Sequence, residues 1–237
     1  LGIELTYSLG LDPYYDISSR DEATRLRGVE YLKNIVERVG YMGGKVISGV
    51  SYQGWGCTDV DPVEGKKPLL ENSLKSMREL VKVAADNDIT YCVEAVNRFE
   101  GCLINTAQEA LDYVNAVNSP NIGILLDTYH MNIEESSFSE AIHLAGDKLV
   151  NFHTGDNNRR CPGRGHIDFD EIFKALGDIH YTGRIVSEPF IATGGEVGNA
   201  VALWRDLEPD MSPEYRDKEA AYLLQYEKEK LAKYGLA

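Results

Sequence analysis

The stretch Leu125-Leu126-Asp127-Thr128-Tyr129-His130 runs an apolar segment straight into an acid, and an imidazole follows three residues later. Three other stretches repeat the arrangement: Val93-Glu94-Ala95-Val96-Asn97-Arg98-Phe99-Glu100, Asn151-Phe152-His153-Thr154-Gly155 and Val186-Ser187-Glu188-Pro189. Each places a metal-type ligand where a buried strand would emerge into a loop. The four recur at intervals of roughly one strand-plus-helix unit, about 30 residues. If the strands are parallel neighbours in one barrel, Glu94, Asp127, His153 and Glu188 meet at its C-terminal face.

Outward from these stretches, strand-like and helix-like segments alternate along the chain, the pattern of βαβ units and an α/β fold. Strands are expected at Ile3–Tyr7, Lys45–Val50, Thr90–Val93, Ile122–Leu126, Leu149–Phe152 and Arg184–Ser187. Helical spacing covers Ser19–Tyr41, with Leu26, Val29, Leu32, Ile35, Val36 and Val39 on one face, and Leu69–Asn87. Thr106–Val117 opens on Thr-Ala-Gln-Glu, a capping-box form. Shorter helices are expected at Ser137–Ala145 and Asp168–Leu176, and Pro213 opens a long one to Lys233. A closed (β/α)8 TIM barrel needs eight strands and only six are visible here. The expectation is therefore one TIM-barrel domain over 1–237, lacking its first two β/α units, about 50–60 residues.

Composition narrows the partners. A net charge of −14 argues against a nucleic-acid or anionic-membrane surface, since polyanions need a basic footprint. Cys57, Cys92, Cys102 and Cys161 form no CxxC or paired framework and read as reduced thiols of a cytoplasmic protein. No apolar run is long enough for a membrane span.

Taken singly, Glu94 or Asp127 at a strand end is as readily half of an ion pair, and His153 a hydrogen-bonded core histidine. Glu188 differs, because Pro189 fixes the chain leaving the strand. Four ligand types at four successive strand ends are harder to attribute to chance, and three carboxylates buried together demand a cation or sharply raised pKa values. An oxygen-rich set with one imidazole suits Mn²⁺, Mg²⁺ or Co²⁺. Glu100, His130 and Arg159 fall in the loops after the same strands, where substrate-binding groups are placed. Tyr7, Tyr52 and Trp55 lie near other strand ends, and Cys161-Pro162-Gly163-Arg164-Gly165 reads as a tight, lid-like turn without phosphate-loop spacing.

Asn97-Arg98-Phe99-Glu100, Leu126-Asp127-Thr128-Tyr129-His130-Met131-Asn132-Ile133-Glu134-Glu135, His153-Thr154-Gly155-Asp156-Asn157-Asn158-Arg159 and Glu188-Pro189-Phe190 resemble the ketose 3-epimerases. These are the D-tagatose and D-allulose (D-psicose) 3-epimerases of the xylose-isomerase-like TIM barrel superfamily. The resemblance runs from about Leu5 to the C-terminal helix. It implies a metal-dependent isomerase acting on ketohexoses at C3 through a cis-enediolate, interconverting D-fructose with D-allulose and D-tagatose with D-sorbose. Glu94, Asp127, His153 and Glu188 would bind Mn²⁺ or Co²⁺, and Glu94 and Glu188 would exchange the C3 proton. Glu100, His130 and Arg159 would hold the O1–O3 end of the sugar, in a homodimer or homotetramer. Asp156 stands where the family usually has Glu, and His166-Ile167-Asp168 departs from a basic–apolar–Pro stretch; both changes bear on substrate preference.

Three other readings compete. A lyase of the same superfamily, such as a C-glycoside deglycosidase, would share the metal and enediolate but need a bulky aglycone pocket. An endonuclease IV-like repair enzyme needs a His-rich zinc site and a basic face, against which stand 5 histidines and the acidic charge. A non-catalytic binding or partner subunit would suit an incomplete barrel, and retention of all four ligands weighs against it.

Overall fold

The computed structural model describes residues 5–58 and 60–236. Its strands are β1 Tyr7–Ser8, β2 Val46–Ser48, β3 Thr90–Ala95, β4 Ile122–Asp127, β5 Leu149–Thr154 and β6 Arg184–Ser187. They form one parallel sheet in the order β1-β2-β3-β4-β5-β6, so each strand pairs with the next along the chain. Ile3 and Glu4, expected in the first strand, lie outside the described residues.

Between the strands run α1 Glu22–Tyr41, α2 Lys67–Asp86, α3 Ala107–Val117, α4 Thr128–Glu134, α5 Phe138–Ala145 and α6 Phe169–Asp178, and α7 Gly195–Ala200 and α8 Pro213–Lys233 follow β6. Local chemistry sets their ends. Asp21, rather than Ser19, caps α1 by accepting the Thr24 amide at 2.9 Å. Thr106 accepts the Glu109 amide at 3.2 Å, while Glu109 reaches back to the Asn105 amide at 2.8 Å. The capping box therefore closes one residue earlier than its usual form. On α1 the buried stripe is Arg25, Val29, Leu32, Val36 and Val39. Leu26 is 46% exposed, because the Arg25 stem takes the inward position and its guanidinium finds Glu22 and Ser76.

The main core lies between the sheet and the helices, where Ile47, Tyr91, Val93, Ile124 and Phe152 meet Leu32, Met77, Ala110 and Phe173. A smaller cluster of Val46, Cys92 and Leu125, with Val150 against it, fills the other face. The Asn151 amide on β5 lies 3.3 Å from Ser48 Oγ on β2. In a flat sheet, strands three apart would stand about 14 Å from one another, so this contact requires the sheet to curl, as in a barrel wall. No helix among the described residues is long and apolar enough to cross a membrane.

Candidate metal centre and active site

Side chains alternate across a strand, and that period aims the site. On β3 and β4, Cys92 and Leu125 point to the inner cluster, and two residues further on come Glu94 and Asp127. On β5 the register with β4 slips between Ile124 and Leu125, leaving Val150 as an extra residue. Beyond this bulge Asn151 pairs with Leu125, and His153 lies directly opposite Asp127. Glu188 follows the last residue of β6, its amide donating to Thr154 O at 3.0 Å.

One ligand atom from each of Glu94, Asp127, His153 and Glu188 lies within 4.8 Å of the other three. Asp127 is 0% exposed and His153 1%. Asp127 Oδ2, His153 Nδ1 and Arg159 Nη1 are buried without a hydrogen-bond partner among the described residues. His153 Nδ1 faces Glu188 Oε1 at 3.4 Å, and the Asn151 amide sits 3.2 Å from Nε2. Burial pushes the Glu94 carboxyl up to about 8, against the pull of His153 and with the push of Glu188 and Asp127. Burial would lower His153, yet the Glu188 carboxylate beside it and the Glu94 and Asp127 charges carry it to about 9. Three crowded carboxylates, an orphaned carboxylate oxygen and an orphaned imidazole nitrogen are the donor set that a divalent cation satisfies. The residues fit such an ion.

The remaining three expected residues converge on the same place. His130 Nδ1 accepts the backbone N–H of Asn97 at 3.1 Å. The neutral ring thus carries its proton on Nε2, which stands 3.6 Å from Glu94. Burial holds this ring down to about 3, outweighing the Asp127 charge, so it stays neutral. Glu100 accepts from Trp55 Nε1 at 3.2 Å and from the Asn97 amide at 3.0 Å. Arg159 adopts φ 63°, with its guanidinium 3.8 Å from the Tyr129 ring centroid and 5.1 Å from that of Phe190. Its Nη2 lies 3.5 Å from Glu100 and its Nη1 3.7 Å from Asp127. A cleft of about 130 Å³ opens among Trp55, Glu94, Glu100, His130, Arg159 and Glu188. A larger hollow of about 580 Å³, among Asp16, Gln53 and Cys57, holds none of the seven residues.

Of the aromatics singled out in the sequence, only Trp55 reaches the cleft. Tyr52 is fully buried and donates to Glu94 O at 2.8 Å, and Tyr7 packs on the core. The turn at Cys161–Gly165 wraps around Asp156. Asn97, Phe190 and Asp156 gain importance that strand-end spacing alone did not signal.

Comparison with known proteins places this geometry among relatives. Residues 1–222 match the model of the xylose isomerase-like TIM barrel. A D-psicose 3-epimerase of Ruminiclostridium cellulolyticum is 40% identical over 225 residues, covering 95% of this chain and 76% of that protein. An L-ribulose 3-epimerase of Methylomonas is 36% identical, covering 84% of this chain and 70% of the relative. The crystal structure of D-psicose 3-epimerase with D-tagatose from Clostridium cellulolyticum superposes with a TM-score of 0.93 at 40% identity, over 97% of this chain and 79% of that one.

Proposed function

The chain belongs to the ketose 3-epimerases of the xylose isomerase-like TIM barrel family, and from that membership and the converging residues we propose that it inverts C3 of ketohexoses. The substrate pairs are D-fructose with D-allulose and D-tagatose with D-sorbose. The observation that carries the reading is the meeting of Glu94, Asp127, His153 and Glu188 within 4.8 Å beside Glu100, His130 and Arg159. The ion these four would hold is Mn²⁺ or Co²⁺, with Mg²⁺ also accommodated. When bound, it supplies Lewis acidity toward the ketose oxygens, lowers the cost of removing the C3 proton and balances the carboxylate charge.

The chain's own groups do the rest. Glu94 comes from β3 and Glu188 from the end of β6, with β4 and β5 between them. They enter the site from opposite ends of a row of strands, as inversion requires: one carboxylate takes the C3 proton and the other returns a proton to the opposite face. His130 donates from Nε2 and Arg159 from its guanidinium to the oxygens at C1–C3, holding the planar cis-enediolate in place. Glu100, anchored by Trp55 and Asn97, accepts from a sugar hydroxyl. The lyase reading gains no observation of its own. A single TIM-barrel domain, a cytoplasmic setting and a homodimer or homotetramer complete the proposal.

The test is conversion in D₂O with D-fructose, D-allulose and D-tagatose offered in turn, read by NMR. The expected product is the C3 epimer carrying deuterium at C3, with turnover lost on EDTA treatment and restored by Mn²⁺ or Co²⁺. Glu188→Gln should abolish turnover while the far-UV circular dichroism spectrum is retained. Undiminished activity in that variant would sink the two-carboxylate mechanism.

A further inference from the structure

Segment 203–210 is laced to the loops that follow β5 and β6. Leu207 N donates to Ile191 O at 2.9 Å, and Asp206 accepts from the Thr193 amide and hydroxyl, each at 2.8 Å. Glu208, whose side chain is 0% exposed, receives a two-pronged guanidinium from Arg160, Nε at 2.7 Å and Nη2 at 2.8 Å. Tyr215 on α8 donates to the same carboxylate at 2.9 Å. Arg160 is the residue after Arg159. Its carbonyl accepts the Asp156 amide, and the Arg159 amide returns to Asp156 O, both at 2.9 Å. Between those bonds Arg159 is held at φ 63°, a conformation costly for a side-chain-bearing residue and kept only where its surroundings enforce it. The Arg159 carbonyl then accepts the amide of Phe190 at 2.9 Å, and the Phe190 ring centroid lies 5.1 Å from the Arg159 guanidinium.

We propose that Glu208 is a positioning residue for the substrate-binding arginine. Its fork with Arg160 locks the left-handed turn at Arg159 and so sets where the guanidinium points, without Glu208 touching the sugar. The inference rests on the epimerase reading for its kinetic effect, while its structural effect is independent of that reading. A merely structural ion pair would alter stability alone. A positioning pair alters sugar binding through Arg159 to the same extent in the ground state and at the enediolate.

The decisive experiment is a double-mutant cycle with D-allulose as substrate. Glu208→Gln should raise KM about tenfold with kcat within about twofold, and in the Arg159→Ala background it should raise KM no further. An unchanged KM, or the same fold-rise in the Arg159→Ala background, would overturn the proposal. Tyr215→Phe, which removes only the supporting hydroxyl, is the milder variant should Glu208→Gln fail to fold, and a KM rise of about two- to threefold is expected. Amide hydrogen–deuterium exchange separates this idea from the epimerase reading. Peptides carrying the Arg159 and Phe190 amides should exchange faster in either variant whether or not any ketose is turned over, and unaltered exchange there would equally overturn it.

Discussion

Asp156 is fully buried, and among the described residues backbone amides rather than a cationic side chain meet its oxygens. Its oxygens accept the backbone N–H groups of Asn157, Gly163, Gly165 and Ile167 at 2.8–3.2 Å. Gly165 makes this approach possible, since a Cβ there would stand 2.2 Å from Asp156 Oδ1. Asp156→Ala strands the buried Ile167 amide, at about 1–3 kcal/mol, and frees three part-buried amides that water can reach. It should therefore lower unfolding free energy by about 1–3 kcal/mol, as measured by urea denaturation. The legibility of single residues followed the same physics. Glu94, Asp127, His153 and Glu188 stood out because burying a charge at a strand end is costly enough to demand a reason. Asn97 and Glu208 did not, because each acts through a loop whose path is set by contacts remote in sequence.

At the scale of elements, strands and long helices follow from apolar periodicity, and six strand positions are recognisable before any coordinates. The two short helices escape for different reasons. Helix α4 begins at Thr128, immediately after the last residue of β4, with Asp127 itself as its cap, so no spacer separates strand from helix. Helix α7 contains Gly195 and Gly198 and follows Gly194, which leaves no apolar stripe to read. The far end of α4 is tied down by Glu134, which accepts from the Arg98 amide and from its guanidinium at 2.8–3.0 Å. Arg98 holds the Glu134 carboxyl below its ordinary value of 4.5. A depressed folded value adds stability that is fully present above that ordinary value and is lost as pH falls through the lower, folded one. Melting temperature followed from pH 7 to 3 should thus fall less steeply below pH 4.5 in Glu134→Gln than in the parent chain.

At the scale of the whole molecule, the four ligand-type residues stand in or just after four consecutive strands, so an ion seated among them would bind the folded state and not the unfolded chain. Mn²⁺ at 100 times its dissociation constant should then add about 2.7 kcal/mol to stability, seen as a melting temperature that rises with the metal and drops back with EDTA. A melting temperature indifferent to Mn²⁺, Co²⁺ and Mg²⁺ alike would argue against the centre. The barrel class was legible because strand and helix periodicities alternate, whereas the lacing of segment 203–210 onto two earlier loops was not, since nothing local marks it. Sheet order copies chain order, and this bears on how the molecule is made. A ribosome emits about 5–20 residues per second, so each strand from β2 onward leaves the exit tunnel to find its partner already synthesised. Each of β2 to β5 gains its second neighbour only when the next strand follows. The residues of the centre arrive in the same sequence, Glu188 last, so during translation the acidic cluster stays incomplete until nearly the whole wall that must contain it has been assembled.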